Sequence, residues 1–130
     1  MQYKISVLLL SSFLLSCVGV IGQYDGYSIN EVVIQNTSHD HIKNVKIQVK
    51  PTKELFFCGL VLSGSECSNK LPLRRYQGNP IVVSWLVDGK QAMTKEFVVD
   101  VPSTAVKETA LIAVITFEDK GVLKAHFEQR

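Results

Sequence analysis

The six residues Val45-Lys46-Ile47-Gln48-Val49-Lys50 alternate apolar and polar without a fault. Successive side chains of a strand point to opposite faces, so this stretch has one dry face and one wet face. Strands of that kind belong to antiparallel sheets that pack one side on a core and show the other to water. Strand signals continue on either side of it. Ile29 to Gln35 reads as a preceding strand, closed by the polar turn cluster Asn36-Thr37-Ser38-His39-Asp40. Pro51 to Glu54 turns the chain into Leu55 to Leu62, an uninterrupted apolar run that predicts a strand buried on both faces.

Ser63-Gly64-Ser65 and Gly78-Asn79-Pro80 punctuate the next stretch, which holds Cys67 and Leu71-Pro72-Leu73. Ile81 to Val87 reads as a strand with Trp85 on the same face as Ile81, Val83 and Val87, a placement that makes the tryptophan a core residue. Asp88-Gly89 is a strong hairpin signal, and the returning arm is expected at Met93 to Val101, ended by Pro102. Ser103 to Thr109 is the one stretch with room for a helical turn. Ala110 to Phe117 and Val122 to Phe127 form a further hairpin across Glu118-Asp119-Lys120-Gly121. Seven to eight short strands at regular spacing predict an all-β fold, a single antiparallel β-sandwich over residues 28–130.

The N-terminus has a different character. Lys4 precedes an apolar run, Ile5 to Leu15, broken only by serines. A bilayer requires about 20 apolar residues, so this run is a signal-peptide core rather than a span. Leu14-Leu15-Ser16-Cys17 resembles the lipobox of bacterial lipoproteins, which implies a signal peptide over residues 1–16, lipidation at Cys17 and a tether over 17–27 of at most roughly 35 Å. Stable attachment through Cys17 needs two or more acyl chains. Val18 after the cysteine, with no acidic residue there, resembles sorting to the outer membrane. The competing expectation is ordinary cleavage after Gly19 or Gly22, giving a secreted or periplasmic soluble protein.

Composition narrows the partners. The chain carries 14 basic and 12 acidic side chains, and loss of residues 1–16 removes only Lys4, leaving 13 against 12. That balance gives no footprint for nucleic acid, which asks for a clustered basic face. With Cys17 taken by lipid, Cys58 and Cys67 are an even pair in an oxidising compartment, where disulfides persist. Their bridge closes a loop of about ten residues.

The segment Val32-Val33-Ile34-Gln35-Asn36-Thr37-Ser38, followed by Ile42 to Val49 and by Cys58 through Cys67, resembles the immunoglobulin-like domains of bacterial surface and envelope proteins, the cell-adhesion-related type. The likeness spans about 40 residues, Val32 to Ser68, and implies an immunoglobulin-like sandwich. The cysteines depart from the antibody pattern, because they lie nine positions apart rather than on strands distant in sequence. A fold of this kind hosts many unrelated activities, so function rests on the residues themselves.

Those residues carry little chemistry. His39 and His41, flanking Asp40, alternate as ligands on one face of an extended segment do, but two are too few for a closed metal site and His126 lies far off. Met93 has no Cys-x-x-His loop near it, which argues against blue copper. Ser63, Ser65 and Ser68 lack the second glycine of a nucleophile elbow. Asn36-Thr37-Ser38 matches a glycosylation sequon, relevant only in a eukaryote. Arg74, Arg75 and Tyr76, with Lys70 before them, form the candidate partner surface, since Arg and Tyr are enriched at interface hot spots. The expectation is a lipid-anchored envelope module with no catalysis and no cofactor that binds an envelope or surface protein; an inhibitor or assembly factor, and a metal-handling protein using His39 and His41, are the alternatives.

Overall fold

The computed structural model describes residues 26–130. The signal segment, Cys17 and the tether up to residue 25 lie outside the described residues. Eight strands follow in order: β1 (Ser28–Asn36), β2 (Ile42–Val49), β3 (Leu55–Val61), β4 (Glu66–Arg75), β5 (Ile81–Val87), β6 (Lys90–Met93), β7 (Leu111–Phe117) and β8 (Leu123–Glu128). They form two four-stranded sheets, ordered β4-β1-β7-β8 and β3-β2-β5-β6. The described residues form an all-β sandwich.

The alternation of β2 sets the second sheet. Val45 and Ile47 are buried while Lys46 and Gln48 are exposed. Upstream the phase slips, because Ile42 is buried three positions before Val45. The cause is a bulge between Lys43 and Lys46 against β5, with Asn44 at φ 50°. Asp88 (φ 51°) and Gly89 (φ 71°) make the two-residue turn joining Val87 to Lys90, the left-handed pair that a type I′ hairpin requires. The returning arm therefore starts at Lys90 rather than Met93, and β6 is short. Beyond it a lone bridge ties Phe97 to Ile81. Ser103 to Thr109 holds turns and no helix.

Two further expectations change. The sheets are not wholly antiparallel: β1 pairs with β7 in parallel, Val33 beside Val114, while β4 and β8 flank them antiparallel. Every residue of β7 is buried: Leu111, Ala113, Ile115 and Phe117 face the core between the sheets, while Ile112 and Val114 pack with Val33 of β1 on the other face. The run Leu55 to Leu62, by contrast, is not buried on both faces. It forms the sheet edge, and its outward side chains are exposed.

Between the sheets, Val32, Ile34, Leu111, Ala113 and Ile115 of the first sheet meet Ile42, Val45, Ile47, Val83 and Trp85 of the second. Trp85 packs edge-on against Phe117, ring centroids 4.9 Å apart. Cys58 and Cys67 are bridged. Although near in sequence, they belong to different sheets, Cys58 opposite Val45 and Cys67 opposite Ile34. The bridge thus clamps the sandwich along one side, where edge strands β3 and β4 lie together. Tyr27 already belongs to the domain, since its carbonyl accepts from the Tyr76 N–H at 2.9 Å. Among the described residues no helix is long and apolar enough to cross a membrane.

Candidate functional site

The strands begin and end at two opposite poles. At one pole the start of β1, the end of β4, the start of β3 and the end of β8 surround a cleft of about 310 Å³ between the sheets. Its floor is apolar: Val32 and Ile115 from the first sheet, Ile47 and Phe56 from the second, Val99 and Phe127 closing the sides. Its rim is polar and includes Arg74, Arg75, Tyr76, Gln77 and Asn79. Arg74 donates to Glu54 across the gap between sheets at 2.7 Å, both side chains partly open to water.

The proposed trio therefore divides. Arg74 and Arg75 are exposed at the rim. Tyr76 is half-buried, its hydroxyl donating to the Val99 carbonyl at 2.9 Å and its ring edge-on to Phe127 at 4.9 Å. Tyr76 thus holds the 97–101 segment against the sheets, while the arginines face solvent.

The opposite pole is organised by Asn36, which is 1% exposed. Its amide nitrogen donates to the carbonyls of Asp40 (2.7 Å) and Val61 (3.0 Å), and its amide oxygen accepts from the Ser38 N–H (3.0 Å) and hydroxyl (2.6 Å). One side chain thus ties the β1–β2 turn to the end of β3, with every polar site of the amide in use. The Asn-Thr-Ser cluster read as a turn is this node.

The two histidines beside it are engaged by different loops. His39 presents its backbone N–H (2.8 Å) and Nδ1 (2.9 Å) to the Asp119 carboxylate in the β7–β8 turn. Asp119 is held below the usual carboxylate range, first by that backbone N–H and then by the imidazole. His41 Nδ1 instead accepts the Ser63 N–H at 3.0 Å. Ser63 therefore does meet a histidine in space, but through its backbone, and its hydroxyl donates to the Ser38 carbonyl. His126 pairs with Glu128 on β8, which lowers the Glu128 carboxyl. Among the described residues no three His, Cys, Asp or Glu side chains gather as metal ligands would.

The second surface is the one that sequence reasoning missed. Along β3, Leu55 is 54%, Phe57 49% and Leu60 52% exposed. Cross-strand partners Gln48, Lys46 and Lys43 of β2 share that face, and Met93 of β6 is 68% exposed beyond them. The sandwich has four edge strands, and three of them are guarded. β4 carries Lys70, Pro72, Arg74 and Arg75; β6 is four residues long and starts with Lys90; β8 carries Lys124, His126 and Glu128. β3, with the sequence LFFCGLV, has neither a charge nor a proline. Natural sheets guard their edges with such residues, because an open edge is a template for another strand. The signal for it is the uninterrupted apolar run itself, which fits an exposed edge as well as a strand buried on both faces.

No family model matches the chain, and a comparison with curated proteins gives no match. Among solved structures, an NMR structure of a protein from Eubacterium rectale superimposes with a TM-score of 0.47 and 13% identity, covering 82% of this chain and 94% of that one. At that score and identity the likeness bears on neither function nor partner.

Proposed function

We propose that this protein is a lipid-anchored, non-catalytic binding module of the bacterial cell envelope, attached through Cys17 and engaging a partner protein along β3. The observation that carries the reading is the single unguarded edge: three edges are protected by charge, proline or shortness, while β3 exposes Leu55, Phe57 and Leu60. An added strand would gain main-chain hydrogen bonds from the edge and specificity from alternate side chains laid over that apolar row. Covering Phe57 and its leucine neighbours would remove apolar surface from water, whereas the lysines of β2 would orient the partner. A tether over residues 17–27 attached at Cys17 would hold the module within roughly 35 Å of the membrane.

The test is a photo-crosslinking side chain at Phe57, compared with the same group at Lys124 on the guarded β8 edge, in intact cells. One envelope protein captured at Phe57 and not at Lys124, and lost on Leu60→Glu, is the expected result. Equal capture at both positions, or none at Phe57, overturns it. The intact mass of membrane-extracted protein checks the anchor separately: cleavage before Cys17 with added acyl chains is expected, and an unlipidated mass starting after Gly19 or Gly22 refutes it.

A further inference from the structure

We propose that the cleft between the sheets is a ligand site for a single-chain amphiphile with an anionic head group, its hydrocarbon tail between the sheets and its head at Arg75. The proposal is independent of the β3 surface, which lies on the outer face of the second sheet.

The cleft is sorted by polarity. Its buried lining residues, Val32, Ile47, Val99, Ala113, Ile115 and Phe127, are all apolar. Its polar lining residues all lie in partly or fully exposed positions. A polar group carried to the floor would lose its water and gain no partner, so the inserted part of a ligand must be hydrocarbon. The space is a slot between sheets that stack about 10 Å apart, thin in one direction, which suits an extended chain better than a bulky ring system. A volume of about 310 Å³ falls at the lower end of small-molecule pockets, roughly 300 to 1,000 Å³.

The rim sets the sign of the head group. Arg74 is neutralised by Glu54 across the gap. Arg75, next in the chain and also on the rim, has no ion-pair partner among the described residues. Its guanidinium presents a fork of donors that fits either a carboxylate or a phosphate. Gln77 and Asn79 place amides beside it. A fatty acid and a lysophospholipid share the required chemistry, an anion on one hydrocarbon chain.

The experiment uses the mature chain, residues 17–130 carrying Cys17→Ser, in detergent-free buffer, with cis-parinaric acid, an unbranched fluorescent fatty acid, as the reporter. Dodecanoate and lysophosphatidylglycerol compete against it, and dodecyltrimethylammonium serves as the cationic control. Saturable binding at one site per chain is expected, with the cationic amphiphile at least about tenfold weaker. Arg75→Glu should weaken the anionic ligands about fivefold, the scale of one partly exposed charged hydrogen bond. Competition by dodecanoate alone assigns the site to free fatty acids, and competition by the lysophospholipid alone assigns it to membrane lipid. Ala113→Leu fills the slot from the central strand, and Leu71→Trp fills it from edge strand β4 should the first variant disturb the fold. Either plug should abolish binding with the circular dichroism unchanged. No saturable binding, equal affinity for the cationic amphiphile, or binding that survives a folded plug variant overturns the proposal; the last result would place the amphiphile on the β3 face.

Discussion

Replacing Asn36 with Asp changes one atom group and keeps the shape, so it isolates what the amide nitrogen does. In the native protein that nitrogen serves two carbonyls, Asp40 and Val61, at a site 1% exposed. A carboxylate oxygen in its place faces both carbonyls with a lone pair, leaving the buried Val61 carbonyl without its amide donor at about 1 to 3 kcal/mol, weakening the part-buried contact to the Asp40 carbonyl, and burying a charge besides. The expected loss is about 4 kcal/mol at neutral pH, a large share of the ~5 to 15 kcal/mol typical of a domain. Burial and the facing carbonyls raise the introduced carboxyl above its unfolded value near 3.9, which exceeds the opposing pull of the Ser38 donors. A raised folded pKa means that the native state holds the proton longer than the unfolded state. The variant's deficit relative to wild type is therefore smallest below about pH 3.9, grows through the raised pKa at up to about 1.4 kcal/mol per unit, and then levels. Urea unfolding at a series of pH values, with Asn36→Ala as the uncharged companion, reads this directly. A deficit below about 1 kcal/mol at neutral pH, or one as flat in pH as that of Asn36→Ala, would refute the account of the node.

Removing the bridge by Cys58→Ala with Cys67→Ala releases a loop of about ten residues, for which chain entropy gives about 2.7 kcal/mol and a Tm drop of roughly 12 °C; calorimetry showing under a third of that would mean the sheets hold their edges together without the clamp. Tyr76→Phe leaves the Val99 carbonyl without its donor and should cost about 1 kcal/mol in urea unfolding while sparing the ring contact with Phe127; an unchanged midpoint would show that water replaces the hydroxyl freely. Asp119 should titrate below 3.8 in a carboxyl NMR experiment, and only partly recover in His39→Ala, because the backbone N–H that contributes most to the shift remains. Since its folded pKa is depressed, whatever stability the contact adds is present above the unfolded value and lost as pH falls through the folded one.

Local chemistry was the legible part of this chain. The Val45 to Lys50 alternation, the Asp88-Gly89 turn and the cysteine pair each leave a mark within a few residues, and each is realised where the residues stand. Order within a sheet leaves no such mark. Leu55 to Val61 and Leu111 to Phe117 are both seven-residue strands of apolar character, the second broken only by Thr116, yet one is an edge and the other a centre. What separates them is which strands arrive on either side, a property of the whole chain. The parallel pairing of β1 with β7 escaped notice for the same reason. The cleft leaves less mark still, because its walls come from the ends of strands scattered from Ile29 to Phe127, and the sequence shows only the rim residues Arg74, Arg75 and Tyr76 as a local cluster.

The parallel pairing also fixes a schedule. β1 is the first strand to leave the ribosome or a translocation pore, and one of its two neighbours is the seventh, with Thr37 bonded to Phe117 across 80 positions. Until β7 arrives, β1 has only β4 beside it, and the first sheet lacks its centre. Closing so distant a contact carries a large entropic cost before it is rewarded, which slows folding. A chain threaded across a membrane N-terminus first would stay unfolded until nearly all of it had crossed. During that interval the unguarded apolar strand β3 is without its finished surroundings, the period in which a holdase would matter most.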